Sequence, residues 1–359
     1  MTKLVEHPRI VIIGGGITGI SCALRFQTLA REARTPCDIT VLEGGESVGG
    51  KLKTDRVGDF IVDGGPDIFL GNKRPAIALC ESLGIMHRVQ PTNPATRVTY
   101  VRRGATLHTE PMYQDLPLVT PRGGMQELVD TAAHALTDGR IVTRARVMSI
   151  GRDGDTYVMT TGTGERYRAD AVVVATPAPS AARLFDAIAP AVSYALRTIP
   201  YTAMTTVSFA FRTEDVPHDL HGYGYIVADA KDGDVTACTW TSSKIEGRAP
   251  AGHVLLRGYV RSDDDSAPDR ILAEIRTTLG ITAEPVFTRA YRWKEGVPLY
   301  TPDHAATVAA IRAHLAELPA IALAGGALDG AGIPDSIGSA TTAADTLWPL
   351  VTHAHISSV

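Results

Sequence analysis

Gly14, Gly16 and Gly19 stand at G-x-G-x-x-G spacing in IVIIGGGITGISCALRF, and Glu43 closes the later run ITVLE. Such a set binds a dinucleotide. The first glycine permits a tight turn, the second lets a pyrophosphate approach the backbone, and the third allows close helix–strand packing. A carboxylate about 20 residues past the last glycine is placed to take the ribose hydroxyls.

Three elements must position these residues. Arg9–Ile13 is a short apolar, β-branched run that stops at glycine, the pattern of a buried parallel strand. From Ile20 to Ala33 apolar residues recur at helical spacing, so the helix turns its free N–H groups and positive dipole end toward the phosphates. Ile39–Leu42 reads as the second strand and delivers Glu43. The competing reading is a doubly wound domain with an empty crevice.

With 359 residues, 44% of them hydrophobic, the chain can bury a sizeable core and is expected to hold two interleaved domains. Its net charge of -4 provides no basic patch of the kind nucleic-acid binding needs. Neither a run of about 18 apolar residues nor a signal-peptide pattern is found, and a cytoplasmic protein without an integral membrane segment is expected. Cys22, Cys37, Cys80 and Cys238 are scattered, without C-x-x-C spacing or a histidine cluster. They read as small core residues in a reducing compartment, and no metal site is expected.

After Glu43, Gly49–Gly50 precedes Lys51 and Gly64–Gly65 precedes Pro66. Repeated glycine pairs beside a phosphate site point to backbone pressed against a long cofactor, whereas Gly44–Gly45 reads as a surface turn. Lys73–Leu83 and Met125–Leu136 read as helices, and Thr109–Pro121 as an irregular connection. Ala171–Ala175 is a buried strand stopped by Thr176–Pro177, as strands stop at a ligand crevice. Tyr201–Val260 alternates apolar and polar residues in runs separated by turns, the pattern of an antiparallel sheet. Tyr225 and Trp240 lie on strands that could floor a substrate pocket, with core packing as the other reading. A strand at Phe287–Trp293, a helix from Asp303 to about Leu318 and a strand at Ala320–Ala324 follow. The last leads into GGALDGAGIPDSIGSA, and the tail His353–Val359 reads as frayed. A helix starting near Pro334 would point its positive end at an electron-rich group such as the pyrimidine edge of a flavin. That second glycine-rich junction favours flavin over nicotinamide.

Beyond these readings, the chain resembles the protoporphyrinogen/coproporphyrinogen oxidase family within the amine-oxidase-like FAD flavoproteins. The resemblance is carried, in order, by IVIIGGGITGISCALRF, ITVLE with VGGKLKT, FIVDGGPDIFL, TPRGGMQELVD, YRWKEGVPLYTPDH and LAGGALDGAGIPDSIGSA. It implies an α/β fold in which a Rossmann-type FAD-binding domain (1–90, 121–198 and 319–359) interleaves with a smaller antiparallel-sheet substrate domain (91–120 and 199–318). It implies FAD held at the pyrophosphate by Gly14, Gly16, Ile17, Thr18 and Gly19 and at the ribose by Glu43. Gly50 and Lys51 would run along the cofactor, Gly65 and Pro66 near the flavin, Val147 at the adenine, and Trp293, Gly326, Ile333 and Pro334 around the ring. Arg97, in RVTYV, would face a substrate carboxylate, for which a guanidinium fork is suited; a surface arginine is the alternative.

The chemistry so implied is desaturation of a cyclic, carboxylate-bearing small molecule by hydride transfer to flavin N5. No catalytic acid–base residue is assigned, because the N–H proton of such a substrate can leave to solvent. Family members carry a helical insertion that associates with the membrane and covers part of the pocket; here it has shrunk to Met112–Val119. A homodimer could cover the exposed face. Oxidation of a smaller metabolite, a flavin-dependent isomerisation and a flavin-binding partner subunit are the other readings.

Overall fold

Alternation along one short strand sets up two cores. In β1 (Arg9–Ile13), Ile10 and Ile12 enter one hydrophobic cluster and Val11 and Ile13 the other. Both faces of this strand are therefore covered, as the apolar run requires. The computed structural model describes residues 7–104, 106–110, 115–228 and 235–356.

From β1 the chain enters α1 (Ile17–Ala33) and returns in β2 (Asp38–Leu42). A hairpin follows, β3 (Thr99–Arg103) with β4 (Thr106–Glu110), and then β5 (Gly139–Val142) and β6 (Ala171–Val174). Helix α2 (Ala178–Phe185) precedes β7 (Tyr201–Arg212), β8 (Gly224–Val227), β9 (Val235–Trp240) and β10 (His253–Val260). Helix α3 (Ala267–Leu279), β11 (Phe287–Pro298), β12 (Ile321–Leu323) and α4 (Ile333–Ile356) complete the path.

Two sheets organise these elements. The five-stranded sheet runs β5-β2-β1-β6-β12, every pairing parallel. Helices α1 and α4 bury Phe26, Ala340, Ala344 and Leu347 on one of its faces, and α2 with the strands around Ile150 and Met159 covers the other. Each large apolar side chain so buried contributes about 1.5–3 kcal/mol. The seven-stranded sheet runs β11-β7-β10-β9-β8-β3-β4. Helix α3 packs on it closely: a Cβ at Gly258 would lie 2.0 Å from Ile271 Cγ2.

Several expectations change in detail. The second sheet is antiparallel except at β8 and β3, which pair parallel, the hairpin coming from an earlier stretch of chain. Strand β11 runs five residues beyond Trp293, to Pro298. Within Thr109–Pro121 the chain is partly regular, with β4 reaching Glu110 and a short strand at Leu118–Pro121 pairing with Val89–Pro91. Residues 111–114, which overlap the shortened insertion at Met112–Val119, and Ala105, between β3 and β4, lie outside the described residues. At the tail α4 continues to Ile356, and residues 357–359 also lie outside them.

Candidate cofactor and active site

The carboxyl ends of β1, β2, β6 and β12 open onto one cavity of about 900 Å³, touched there by Ile13, Leu42, Ala175 and Ala324. Ligands of open parallel sheets bind at this edge. The glycine loop divides its work as the fingerprint demands. Gly14 has φ +110° and a Cβ there would lie 2.8 Å from the Ala175 carbonyl oxygen. A Cβ on Gly19 would come 1.8 Å from the Gly14 oxygen, so α1 can approach β1 only with glycine at that position. At Gly16 a Cβ would meet nothing within 4 Å, because that backbone faces the cavity.

Glu43 ties this loop to the second strand. The Gly15 amide donates to Oε2 at 2.7 Å and the Gly45 amide to Oε1 at 2.6 Å. Gly49 donates to the Gly15 carbonyl at 2.9 Å and Gly50 has φ +57°, so the second glycine pair lies against the loop. Lys51 follows, its ammonium 5.7 Å from the Tyr201 ring centroid. Burial pulls the Lys51 amine below its ordinary range, and the Glu295 charge opposes that pull. Burial likewise pushes the Tyr201 phenol up to about 12. Ser180 donates to both oxygens of Glu295, at 3.2 and 3.1 Å, which links α2 to β11 across the cavity.

At the other end Trp293 donates from Nε1 to the Gly64 carbonyl at 3.0 Å, and Thr206 donates to the same oxygen at 2.7 Å. These bonds fix the indole and the Gly64–Gly65 turn together. A Cβ on Gly65 would lie 2.0 Å from the Lys51 oxygen. Beneath the turn, Asp67 accepts from Lys244 at 3.1 Å on each oxygen and pairs with Arg257 at 2.9 Å. Burial drives the Asp67 carboxyl up, but Lys244 and Arg257 outweigh it and hold the group at about 2. The junction before α4 is equally constrained: Gly325, at φ +121°, donates to Ser339 Oγ at 2.8 Å, and Tyr300 donates to the Gly326 carbonyl at 2.5 Å.

The cavity gathers Gly14, Gly16, Ile17, Thr18, Glu43, Gly50, Lys51, Gly65, Pro66, Val147, Trp293, Gly326 and Ile333. Gly19 and Pro334 lie just behind its wall, one under the loop and the other buried in the first turn of α4. Arg97, Tyr225 and Trp240 do not line it. Arg97 is half-buried and follows the 3₁₀ turn Pro94–Thr96. Tyr225 and Trp240, 1% and 0% exposed, pack in the core beneath α3 with Leu256, Ile271 and Ile275. The parity of the strands explains this. Trp240 pairs with Leu256 on the helix side, whereas Thr239 pairs with Arg257, which lines the cavity.

Sequence reasoning assigned no role to Asp67, Thr206, Arg257, Tyr259, Ser180 or Glu295, all of which line the cavity. One signal was readable: Arg257 is a lone charge inside the strand HVLLRGYV. Glu295 was hidden because β11 runs past Trp293.

A glycine loop with one face open, a carboxylate on the following strand and a second glycine junction at a helix start make a fitting cradle for FAD. The chain belongs to the family of flavin containing amine oxidoreductases, which it matches over residues 17–119 and 107–347. It is an FAD-dependent oxidase or dehydrogenase similar to the porphyrinogen oxidases.

The relatives include several coproporphyrinogen III oxidases. That of Bacillus subtilis is 25% identical over 91% of this chain and 95% of its own length. That of Mycobacterium tuberculosis H37Rv is 33% identical over 87% of this chain and 69% of its own. The alignment with the B. subtilis protein runs over 451 positions against 359 residues here, so the relative carries residues this chain lacks. Among solved structures, a protein assigned as a protoporphyrinogen oxidase from Exiguobacterium sp. 255-15 shares the fold with a TM-score of 0.85 at 22% identity, over 96% of this chain and 99% of that one. Reduced UDP-galactopyranose mutase shares it with a TM-score of 0.77 at 14% identity, over 96% of each. Among the described residues no helix is long and apolar enough to cross a membrane.

Proposed function

We propose that this protein oxidises a porphyrinogen, with coproporphyrinogen III as the leading substrate. The observation that carries the reading is that one continuous cavity joins the dinucleotide cradle at Gly16 and Glu43 to the aromatic and charged end at Trp293, Tyr259 and Arg257. The relatives' activity supports the substrate class and does not favour the isomerase or partner-subunit readings.

A bound FAD would supply the two-electron acceptor for the substrate's hydride. The chain's own residues hold and orient. The amides from Gly16 to Thr18 receive the pyrophosphate at the start of α1, Gly14 and Gly15 shape the loop behind them through bonds to Leu42 and Glu43, Glu43 takes the ribose, and Val147 lies at the adenine end. Lys51 adds positive charge along the cofactor, and Gly19 and Pro334 shape the turns from behind. Gly65, Pro66, Trp293, Gly326 and Ile333 surround the ring. The Trp293 indole is held by its bond to Gly64, so its plane is preset and costs little ordering on binding. No residue is assigned the substrate's N–H proton, which leaves to solvent. A carboxylate that meets Arg97 has to extend beyond the cavity, since Arg97 is not part of its lining.

The same reading divides the chain into an FAD-binding domain of 1–90, 121–198 and 319–359 and a substrate domain of 91–120 and 199–318. Four free, buried cysteines support a reducing compartment and hence the cytoplasm. A second copy of the chain is the proposed cover for the face left by the shortened insertion.

The test is anaerobic mixing of the FAD-loaded protein with coproporphyrinogen III. Bleaching of the flavin absorbance on mixing is the expected result. A flavin that stays oxidised would overturn the substrate assignment.

A further inference from the structure

Arg257 is a charge buried on the cavity-facing side of a central strand, the side opposite Leu256 and Gly258. It is hydrogen-bonded into the middle of the second sheet, opposite Ser208 on β7 and Thr239 on β9. Its side chain is 2% exposed, yet it borders the cavity. Nη1 donates to the carbonyls of Asp63 and Gly65, both at 2.8 Å, and Nη2 meets Asp67 Oδ2 at 2.9 Å. Three anchors on one loop fix the guanidinium plane, which also lies 5.0 Å from the Tyr259 ring centroid.

The surrounding charges do not balance. Arg257 and Lys244 face Asp67, and Arg248 lies 3.2 Å from Asp63. Three cations and two carboxylates, all buried, leave one formal positive charge in excess. An uncompensated buried charge is costly, unless the site is built to receive negative charge. This excess lies against Gly65 and Pro66, at the end of the cavity where the flavin reading places the ring.

A hydride carries two electrons and one proton. Its transfer breaks a C–H bond of the substrate, forms an N–H bond on the flavin and leaves the flavin with one additional negative charge. The substrate then releases an N–H proton to solvent and gains a double bond. A fixed cation in a water-excluded site stabilises charge that develops beside it without reorganising.

We propose that Arg257, held by Asp63, Gly65 and Asp67, is a positioning residue that supplies this cation and shifts the bound flavin toward its reduced form. The proposal rests on the FAD reading of the cavity. Its direct readout is the midpoint potential of the bound flavin, measured by equilibration with a reference dye. Arg257→Met should lower the equilibrium constant for two-electron reduction about tenfold, equivalent to ~30 mV. Arg257→Lys, which keeps the charge, should restore most of that loss. Asp67→Asn, which removes a carboxylate from the same network, should move the potential in the opposite direction. Such opposed signs would not follow from a merely structural role.

The proposal is overturned if Arg257→Met retains FAD with the wild-type potential, or if Asp67→Asn shifts it the same way as Arg257→Met. Should Arg257→Met not fold, Lys244→Met removes a cation from the same network; the same fall is expected, and an unmoved potential overturns the idea equally. A wild-type protein that takes up no FAD would sink the reading of the site itself. A flavin-loaded wild type with unmoved variants would sink this proposal alone.

Discussion

Gly15 and Glu43 are 28 residues apart in the chain and 2.7 Å apart in space, amide nitrogen to carboxylate Oε2. With the Gly45 amide on the other oxygen, the carboxylate staples the loop after β1 to the end of β2. A carboxylate offers about four lone-pair sites, so acceptors remain for a ribose. Glu43 thus both shapes the loop and faces the cavity.

Replacing Glu43 with Ala removes a charged acceptor from two backbone donors and from the ribose. Charge-assisted hydrogen bonds contribute about 1.5–3 kcal/mol. FAD affinity should therefore fall about 10- to 100-fold, read by flavin fluorescence quenching on titrating the apo-protein. An unchanged affinity would remove Glu43 from the cofactor site.

The glycines of the loop should separate by variant. Gly19→Ala drives a methyl into the Gly14 oxygen, and overpacking of this kind costs about 1–3 kcal/mol. The apo-protein should melt at a lower temperature. Gly16→Ala meets no protein atom within 4 Å, so its apo-protein should melt like the wild type and yet bind FAD poorly. Equal loss of stability in both would contradict the assignment of Gly16 to the open face.

Asp67 gives a pH dependence with a defined sign. Its carboxyl is held at about 2, below the ordinary 3.8. A depressed folded pKa contributes stability above the unfolded value, and that stability is lost as pH falls from about 4 to about 2. The amount is on the order of 2 kcal/mol. Asp67→Asn should flatten this window in urea unfolding followed against pH. At neutral pH it should destabilise the protein by about 3–5 kcal/mol, since Lys244 and Arg257 lose their partner. Asp63 titrates with the opposite sign, its carboxyl raised by burial; because the two carboxylates share Arg257 and neighbours are not additive, the Asp63→Asn variant and the double variant are measured alongside. An unaltered pH slope in Asp67→Asn would contradict the account.

The local part of the site was legible because its partners are close in sequence. Strand, glycine loop, helix and Glu43 fall within one stretch from Arg9 to Glu43, and hydrophobic periodicity reports each of them. The second glycine junction, before Ile333, was legible for the same reason. Arg257 showed only as a lone charge in its strand; its role was not legible, because its carbonyl partners lie 194 and 192 residues earlier in the chain. Tyr225 and Trp240 were drawn toward the pocket by a limit of strand patterns: a period of two separates two faces without saying which one meets the ligand. The contact of α3 with Gly258 settles that choice in space.

Trp240 and Tyr225 should accordingly matter for stability alone. Trp240→Phe leaves unfilled space in a fully buried position and should cost about 1–3 kcal/mol. Its kcat and KM per folded, flavin-loaded molecule should stay within twofold of the wild type. A KM raised tenfold would return Trp240 to the substrate site.

The central claim, FAD-dependent oxidation of a porphyrinogen, is tested most directly by purifying the protein and recording its absorbance. The flavin-loaded fraction is then incubated aerobically with coproporphyrinogen III while porphyrin fluorescence is followed. The account predicts a flavin spectrum and a fluorescence rise whose rate scales with enzyme concentration above the spontaneous rate. A flavin spectrum with no enzyme-dependent fluorescence would contradict the substrate, and a protein that neither carries nor takes up flavin would contradict the whole.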